Sequence, residues 1–152
     1  MVKADINNKE LYIIHTDGGS RGNPGPSAIG VVIADYDGSL KKEYSEYIGE
    51  TTNNEAEYQA IIFALKKLKQ LIGKEKASNA KLEFHVDSEL AVKQLNGEYK
   101  LNDKNIQRFF IEIWNNKLDY GEVTFKHVPR EDNKEADKLV NAALDKELNK
   151  LF

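Results

Sequence analysis

Along the chain, stretches with apolar residues at every second position alternate with stretches where they recur every three or four, and this change of period marks out the elements. Residues 11–16 are rich in strand formers, with Leu11, Ile13, His15 and Asp17 in step. The strand is predicted to leave Asp17 at its exit, before a glycine-rich turn, Gly18-Gly19-Ser20-Arg21-Gly22-Asn23-Pro24-Gly25-Pro26, whose bare backbone would let N–H groups approach a phosphate or sugar. A second strand is read over residues 28–34, a turn at Tyr36-Asp37-Gly38-Ser39, and a wetter edge strand over residues 40–48, where Leu40, Tyr44 and Ile48 alternate with Lys41, Glu43 and Glu46.

Residues 51–72 carry the clearest helical signal. Thr52-Asn53-Asn54-Glu55 has the form of a capping box, and Ala60, Ile61, Ala64, Leu65, Leu68, Leu71 and Ile72 trace one apolar stripe. One turn back along that stripe stands Glu57, an acid on the packing face that needs a partner, because an unpaired buried carboxylate is costly. Residues 73–79 read as a polar connection. Residues 81–86 alternate strictly, with Leu82, Phe84 and Val86 inward, and end on Asp87. A short helix through Leu90, Ala91, Val92 and Leu95 is stopped by Asn96-Gly97, and residues 103–118 form a second long helix with Ile106, Phe109, Phe110, Ile113, Trp114 and Leu118 on one side. A last strand, residues 122–128, ends at Pro129. Asn133 opens a final helix whose stripe, Ala136, Val140, Ala143 and Leu144, shares its face with Asp137. The order β-β-β-α-β-α-α-β-α predicts an α/β protein, one mixed sheet with helices on its faces. A single domain is expected over residues 11–149, after a polar lead over residues 1–10 and before a short end at 150–152.

Composition narrows the class. The chain has 152 residues and no cysteine, so thiolate metal sites and a disulfide framework are excluded. Neither a basic apolar leader nor a long uncharged apolar run is present, so a cytoplasmic protein with no membrane contact is expected. The net charge is −3. That balance argues weakly against nucleic acid, yet bound divalent cations would reverse the sign locally.

Asp17 and Asp87 at strand ends, and Glu57 and Asp137 in the first turns of helices, belong at the rim of an α/β sheet where ligands bind. Converging carboxylates would repel one another unless divalent ions neutralised them, and oxygen-only ligation suits Mg²⁺ or Mn²⁺. Two such ions, roughly 3.5–4 Å apart, support phosphodiester hydrolysis.

Asp17-Gly18-Gly19-Ser20-Arg21-Gly22-Asn23-Pro24-Gly25, Thr51-Thr52-Asn53-Asn54-Glu55-Ala56-Glu57, Val86-Asp87-Ser88 and Asn133-Lys134-Glu135-Ala136-Asp137 resemble, in order and over almost the whole chain, the four motifs of ribonuclease H type 1. The resemblance implies a ribonuclease H-like fold, a five-stranded mixed sheet of three antiparallel and two parallel strands flanked by helices. It also implies hydrolysis of the RNA strand of RNA–DNA hybrids, leaving 5′-phosphate and 3′-hydroxyl ends; a monomer with no obligate protein partner is expected. Asp17 would bridge two Mg²⁺ ions, with Mn²⁺ as a substitute. Asp137 would complete the water-activating site, and Glu57 and Asp87 the leaving-group site. Gly18, Ser20, Asn54 and Glu89 match positions that touch the RNA strand or its minor groove. Asn23, Thr52 and Asn53 match positions that hold the DNA strand. Two departures stand out. The Lys- and Trp-rich protrusion of many bacterial members is replaced by a short stretch, residues 97–105, with only Lys100 and Lys104. The loop that often bears a mobile His is here Pro129-Arg130-Glu131-Asp132, in which Glu131 is a candidate acid over the metals and Arg130 a candidate phosphate-binding cation; the isolated His127 is read as structural. The rival readings are a resolvase- or transposase-type nuclease of the same fold and an inactive hybrid-binding module.

Overall fold

The computed structural model describes residues 10–150, so the expected polar lead lies outside the described residues except for Glu10, as do the last two residues. Five strands, β1 (Glu10–Ser20), β2 (Gly25–Asp35), β3 (Lys41–Thr51), β4 (Ala80–Val86) and β5 (Glu122–His127), form one sheet in the order β3-β2-β1-β4-β5. The pairs β1/β2 and β2/β3 are antiparallel, and β1/β4 and β4/β5 parallel, as the resemblance implied. Among the described residues there are also four α-helices: α1 (Asn53–Ser78), α2 (Glu89–Leu95), α3 (Lys104–Lys117) and α4 (Lys134–Asn149).

Alternation along β2 splits the packing between the two faces of the sheet. Ile29, Val31 and Ile33 join the main core with Tyr12, Ile14, Phe84 and the α1 residues Ile61, Leu65 and Leu68. Ala28 joins a smaller cluster with Val140, Ala143 and Leu144 of α4. The strict alternation of β4 holds, with Leu82, Phe84 and Val86 buried. No described helix is long and apolar enough to cross a membrane.

Three expectations need correction. Residues 73–79 are not a plain connection: the helix breaks at Gly73, where φ is +87°, then resumes for a turn that ends at Asn79. Buried Ala77 ties that turn to the core. Trp114 and Leu118 do not pack with the rest of the α3 stripe; they are 54% and 73% exposed. At 3.6 residues per turn they lie about 80° and 120° around the helix from buried Ile106, so the stripe was read too wide. Finally, β1 does not stop before the glycines but runs through Ser20.

Candidate active site

The overrun of β1 explains where Asp17 stands. Pairing between β1 and β4 ends at Thr16 opposite Val86, while pairing with β2 continues through Asp17 opposite Gly30 and Gly18 opposite Ile29 to Ser20 opposite Ser27. Asp17 is therefore the first β1 residue beyond the end of β4, and Asp87 is the first residue after β4. Neighbouring parallel strands thus place both acids at one edge of the sheet.

Two glycines bring the helices to that edge. A Cβ on Gly18 would stand 2.2 Å from the carbonyl of Ala56 and 2.5 Å from the nitrogen of Glu57, so the first turns of α1 rest directly on the strand. The Gly18 N–H donates to Glu57 Oε1 at 2.7 Å. The N–H expected to meet a phosphate instead orients an acid, and the Ser20 N–H donates to Asn53 Oδ1 at 2.8 Å. On the other face, a Cβ on Gly30 would lie 2.1 Å from the Ala136 oxygen, so α4 crosses β2 beside Asp17 and carries Asp137 to the rim. At the start of α1, the Thr52 hydroxyl accepts from the Glu55 N–H and donates to the Glu55 carboxylate, both at 3.2 Å, so one half of the predicted capping box forms.

One oxygen each of Asp17, Glu57 and Asp87 lies within 4.8 Å of the others. Asp17 and Glu57 are buried, at 8% and 6% exposure. Burial, then the charges of Asp87 and Asp137, push the Asp17 carboxyl up to about 8 against the opposing Gly18 N–H. Burial and the charges of Asp17 and Asp87 raise Glu57 well above the carboxylate range. Asp137 is exposed; it faces Asp17 across the rim but stands outside the three-carboxylate group. Buried, oxygen-only, mutually repelling donors fit a hard divalent cation.

These acids floor a cleft of about 450 Å³. Gly18, Ser20, Asn23, Asn53, Asn54 and Arg130 line it. Asn23 Oδ1 accepts from the Asn53 N–H at 2.9 Å, which ties the turn after β1 to α1. Thr52 caps α1 and Glu89 is exposed in the first turn of α2; neither lines the cleft. Glu131 lines a separate hollow of about 160 Å³ with His15 and Val32, because the 3₁₀ turn Arg130–Asp132 sends neighbouring side chains to different sides. A reach of Glu131 over the carboxylates is therefore corrected. His127 is exposed at the end of β5.

Sequence reading missed four contributors: Gly30, Arg21, Gln94 and Asn133. Arg21 lines the cleft and pairs with Asp145 at 2.7 Å. Asn133, 1% exposed, looked like an ordinary helix opener, yet its side chain makes no cap bond. Its Nδ2 donates to the Thr16 carbonyl at 2.9 Å and to Asp87 Oδ2 at 3.3 Å, fastening the start of α4 to both strand ends. The sole signal in the sequence was an Asn at a cap four residues before a special acid.

Comparison with known proteins agrees with this geometry. The model of a reverse transcriptase-like family matches residues 15–143. The ribonuclease HI of Halobacterium salinarum is 39% identical over 129 residues, 85% of this chain and 62% of that protein. The bifunctional protein Rv2228c of Mycobacterium tuberculosis is 34% identical over 88% of this chain and 35% of its own length. The chain thus spans less than two thirds of these relatives. Among solved structures, LC11-RNase H1, isolated from compost, superposes with a TM-score of 0.83 at 47% identity, covering 91% of this chain and 98% of that one. The same protein in complex with an RNA/DNA hybrid gives 0.81 at 45% identity, covering 90% and 99%. With Asp17, Glu57, Asp87 and Asp137 at one sheet edge and a family model matched across it, the chain belongs to the ribonuclease H type 1 family.

Proposed function

We propose that this protein is a divalent-metal-dependent endoribonuclease that hydrolyses the RNA strand of RNA–DNA hybrids and leaves 5′-phosphate and 3′-hydroxyl ends. The observation that carries the reading is the group of three carboxylates within 4.8 Å at a buried strand end, an arrangement held against its own repulsion. Asp17, at its centre, would bridge two ions; Asp137 would complete the water side, and Glu57 and Asp87 the leaving-group side. Mg²⁺, or Mn²⁺ in its place, supplies an activated water and neutralises charge on the leaving oxygen.

The protein's own groups do the rest. The Gly18 N–H fixes the Glu57 carboxylate, which would lie close to a ribose 2′-hydroxyl, the group that separates RNA from DNA. Asn133 holds Asp87 in place. Gly18, Ser20 and Asn54 would face the RNA strand, and the paired Asn23 and Asn53 the DNA strand, with Thr52 behind them as the cap that fixes Asn53. Arg130 would meet a backbone phosphate, and Glu89 the duplex beyond the cleft wall.

The test is a panel of equal-length RNA–DNA hybrid, duplex RNA, duplex DNA and single-stranded RNA, each with Mg²⁺, Mn²⁺ or EDTA. Cleavage of the hybrid's RNA strand, abolished by EDTA, is expected. Efficient cutting of duplex DNA would favour the resolvase or transposase class, and binding without cleavage an inactive hybrid-binding module.

A further inference from the structure

Three of the four acids are fixed by neighbours that are themselves fixed. The Gly18 N–H holds Glu57, Asn133 holds Asp87, and Asp17 is buried beside both carboxylates. Even Asn54 on the cleft wall is tied back, its Nδ2 donating to Gln94 Oε1 at 3.2 Å. Asp137 stands differently, exposed on the first turn of α4. The amide of Asn141, one turn further along, reaches it: Asn141 Nδ2 donates to the Asp137 carbonyl at 3.1 Å and lies 3.5 Å from the carboxylate Oδ2. The second contact is at the limit of a hydrogen bond, so it steers the carboxylate rather than clamps it.

Arg21 decides which way that amide faces. From the turn after β1 its Nη2 crosses to α4, donating to Asp145 Oδ1 at 2.7 Å and to Asn141 Oδ1 at 3.3 Å, one hydrogen for each. Arginine can only donate, so the Asn141 oxygen belongs on the Arg21 side and the nitrogen is left for Asp137. Turning the amide over would set its NH₂ group against the guanidinium and its oxygen against a carbonyl and a carboxylate. The Arg21 and Asp145 side chains are 41% and 63% exposed, and an ion pair so wet adds little to stability. Its consequence lies in the direction it imposes on Asn141.

We infer that Arg21, anchored by Asp145, is a positioning residue that acts through Asn141 to keep the Asp137 carboxylate turned toward Asp17. The inference rests on the proposed function, in which Asp137 completes the water side of the metal centre. A carboxylate that holds a metal ion is usually oriented by a hydrogen-bonding partner behind it, and here that partner is itself set by a residue from the glycine-rich turn. Arg21 also lines the cleft, so direct contact with a substrate phosphate is the competing role.

The experiment compares the full wild-type chain with Arg21→Met, Asn141→Leu, the double variant, Asp145→Asn and Asp137→Asn. Each is titrated with Mn²⁺ by calorimetry in the absence of substrate, and kcat and KM for a hybrid are then measured in Mg²⁺. Arg21→Met and Asn141→Leu should each lower kcat about tenfold or more while KM stays within about twofold, the range in which loss of an outer partner is felt at a metal site. Both should weaken Mn²⁺ binding, in the direction set by Asp137→Asn. Because Arg21 acts through Asn141, the double variant should match Asn141→Leu alone in both readouts. Asp145→Asn, which keeps the Arg21 charge but loosens its anchor, should lose kcat by a smaller factor. A raised KM with kcat intact in Arg21→Met would overturn the inference in favour of phosphate contact. Losses that multiply in the double variant, or Mn²⁺ affinity unchanged in both Arg21→Met and Asn141→Leu, would overturn it as well. A wild type that cuts no hybrid would overturn the proposed function, and the Mn²⁺ titration would still judge the positioning.

Discussion

Asp17 is the residue on which proton, cation and fold all act. Its carboxyl ionises near 3.8 in an unfolded chain and near 8 in the folded one, so between those values the folded state binds more protons. Metal-free protein should accordingly lose stability as pH rises from about 4 to 8, and Glu57, also raised by burial, adds a loss of the same sign. Urea unfolding at pH 5 and pH 8.5 in EDTA checks this; equal stability at both would contradict the burial of an unneutralised cluster. Asp17→Asn should weaken the dependence, leaving the part that the burial of Glu57 contributes, and stabilise the metal-free protein at pH 8.5 by more than about 1.4 kcal/mol, the free energy of a tenfold change in proton affinity. Glu55→Gln is the contrasting case: it touches only the cap, so cleavage should stay near wild type and stability should fall by about 1 kcal/mol at most. The four acids were legible in the sequence because each broke a local rule, a charge on a packing face or at a strand end. Asn133 and Gln94 broke none. A buried amide looks like any other Asn or Gln until its partners, 117 and 40 residues away in sequence, are known.

Among the elements, the errors of sequence reading nearest the site came from backbones that touch. The glycines after Asp17 read as a turn because glycine is common there, whereas Gly18 continues a strand whose Cα must admit α1. Gly30 gave no signal, since a glycine inside an apolar strand does not reveal which helix crosses it. Gly30→Ala should therefore cost at least about 1–3 kcal/mol through overpacking and impair cleavage by shifting the start of α4 with Asp137. Denaturant unfolding and hybrid cleavage measured together check it, and an alanine variant with unchanged stability would contradict the close approach. The loop before α4 carries a similar contrast. Arg130→Ala should chiefly raise KM, while Glu131→Gln, in the other hollow, should leave both KM and kcat near wild type. A kcat loss confined to Glu131→Gln would contradict that division.

At the scale of the whole molecule, one mixed sheet with helices on its faces followed from the order of elements, the split into three antiparallel and two parallel strands from the family resemblance, and the strand order came only with the structure. What the order could not show is how a protein of net charge −3, with only Lys100 and Lys104 in the place of a basic protrusion, would hold the proposed polyanionic substrate. On the proposed function, divalent cations at the acids would supply the local positive charge, with Arg130 on the cleft wall beside Arg21, whose guanidinium is already paired with Asp145. Hybrid cleavage should fall steeply as monovalent salt rises at fixed Mg²⁺, and a rate indifferent to salt would contradict this electrostatic account. The most direct measurement is the initial rate of RNA-strand cleavage by Asp17→Asn on a hybrid in Mg²⁺, beside wild type, with circular dichroism confirming an intact fold. The rate should drop below about 1% of wild type, beyond the 10–100-fold that loss of an outer hydrogen-bond partner costs a metal site. A folded Asp17→Asn protein that cuts the hybrid at a rate comparable to wild type would contradict the placing of the metal centre at Asp17.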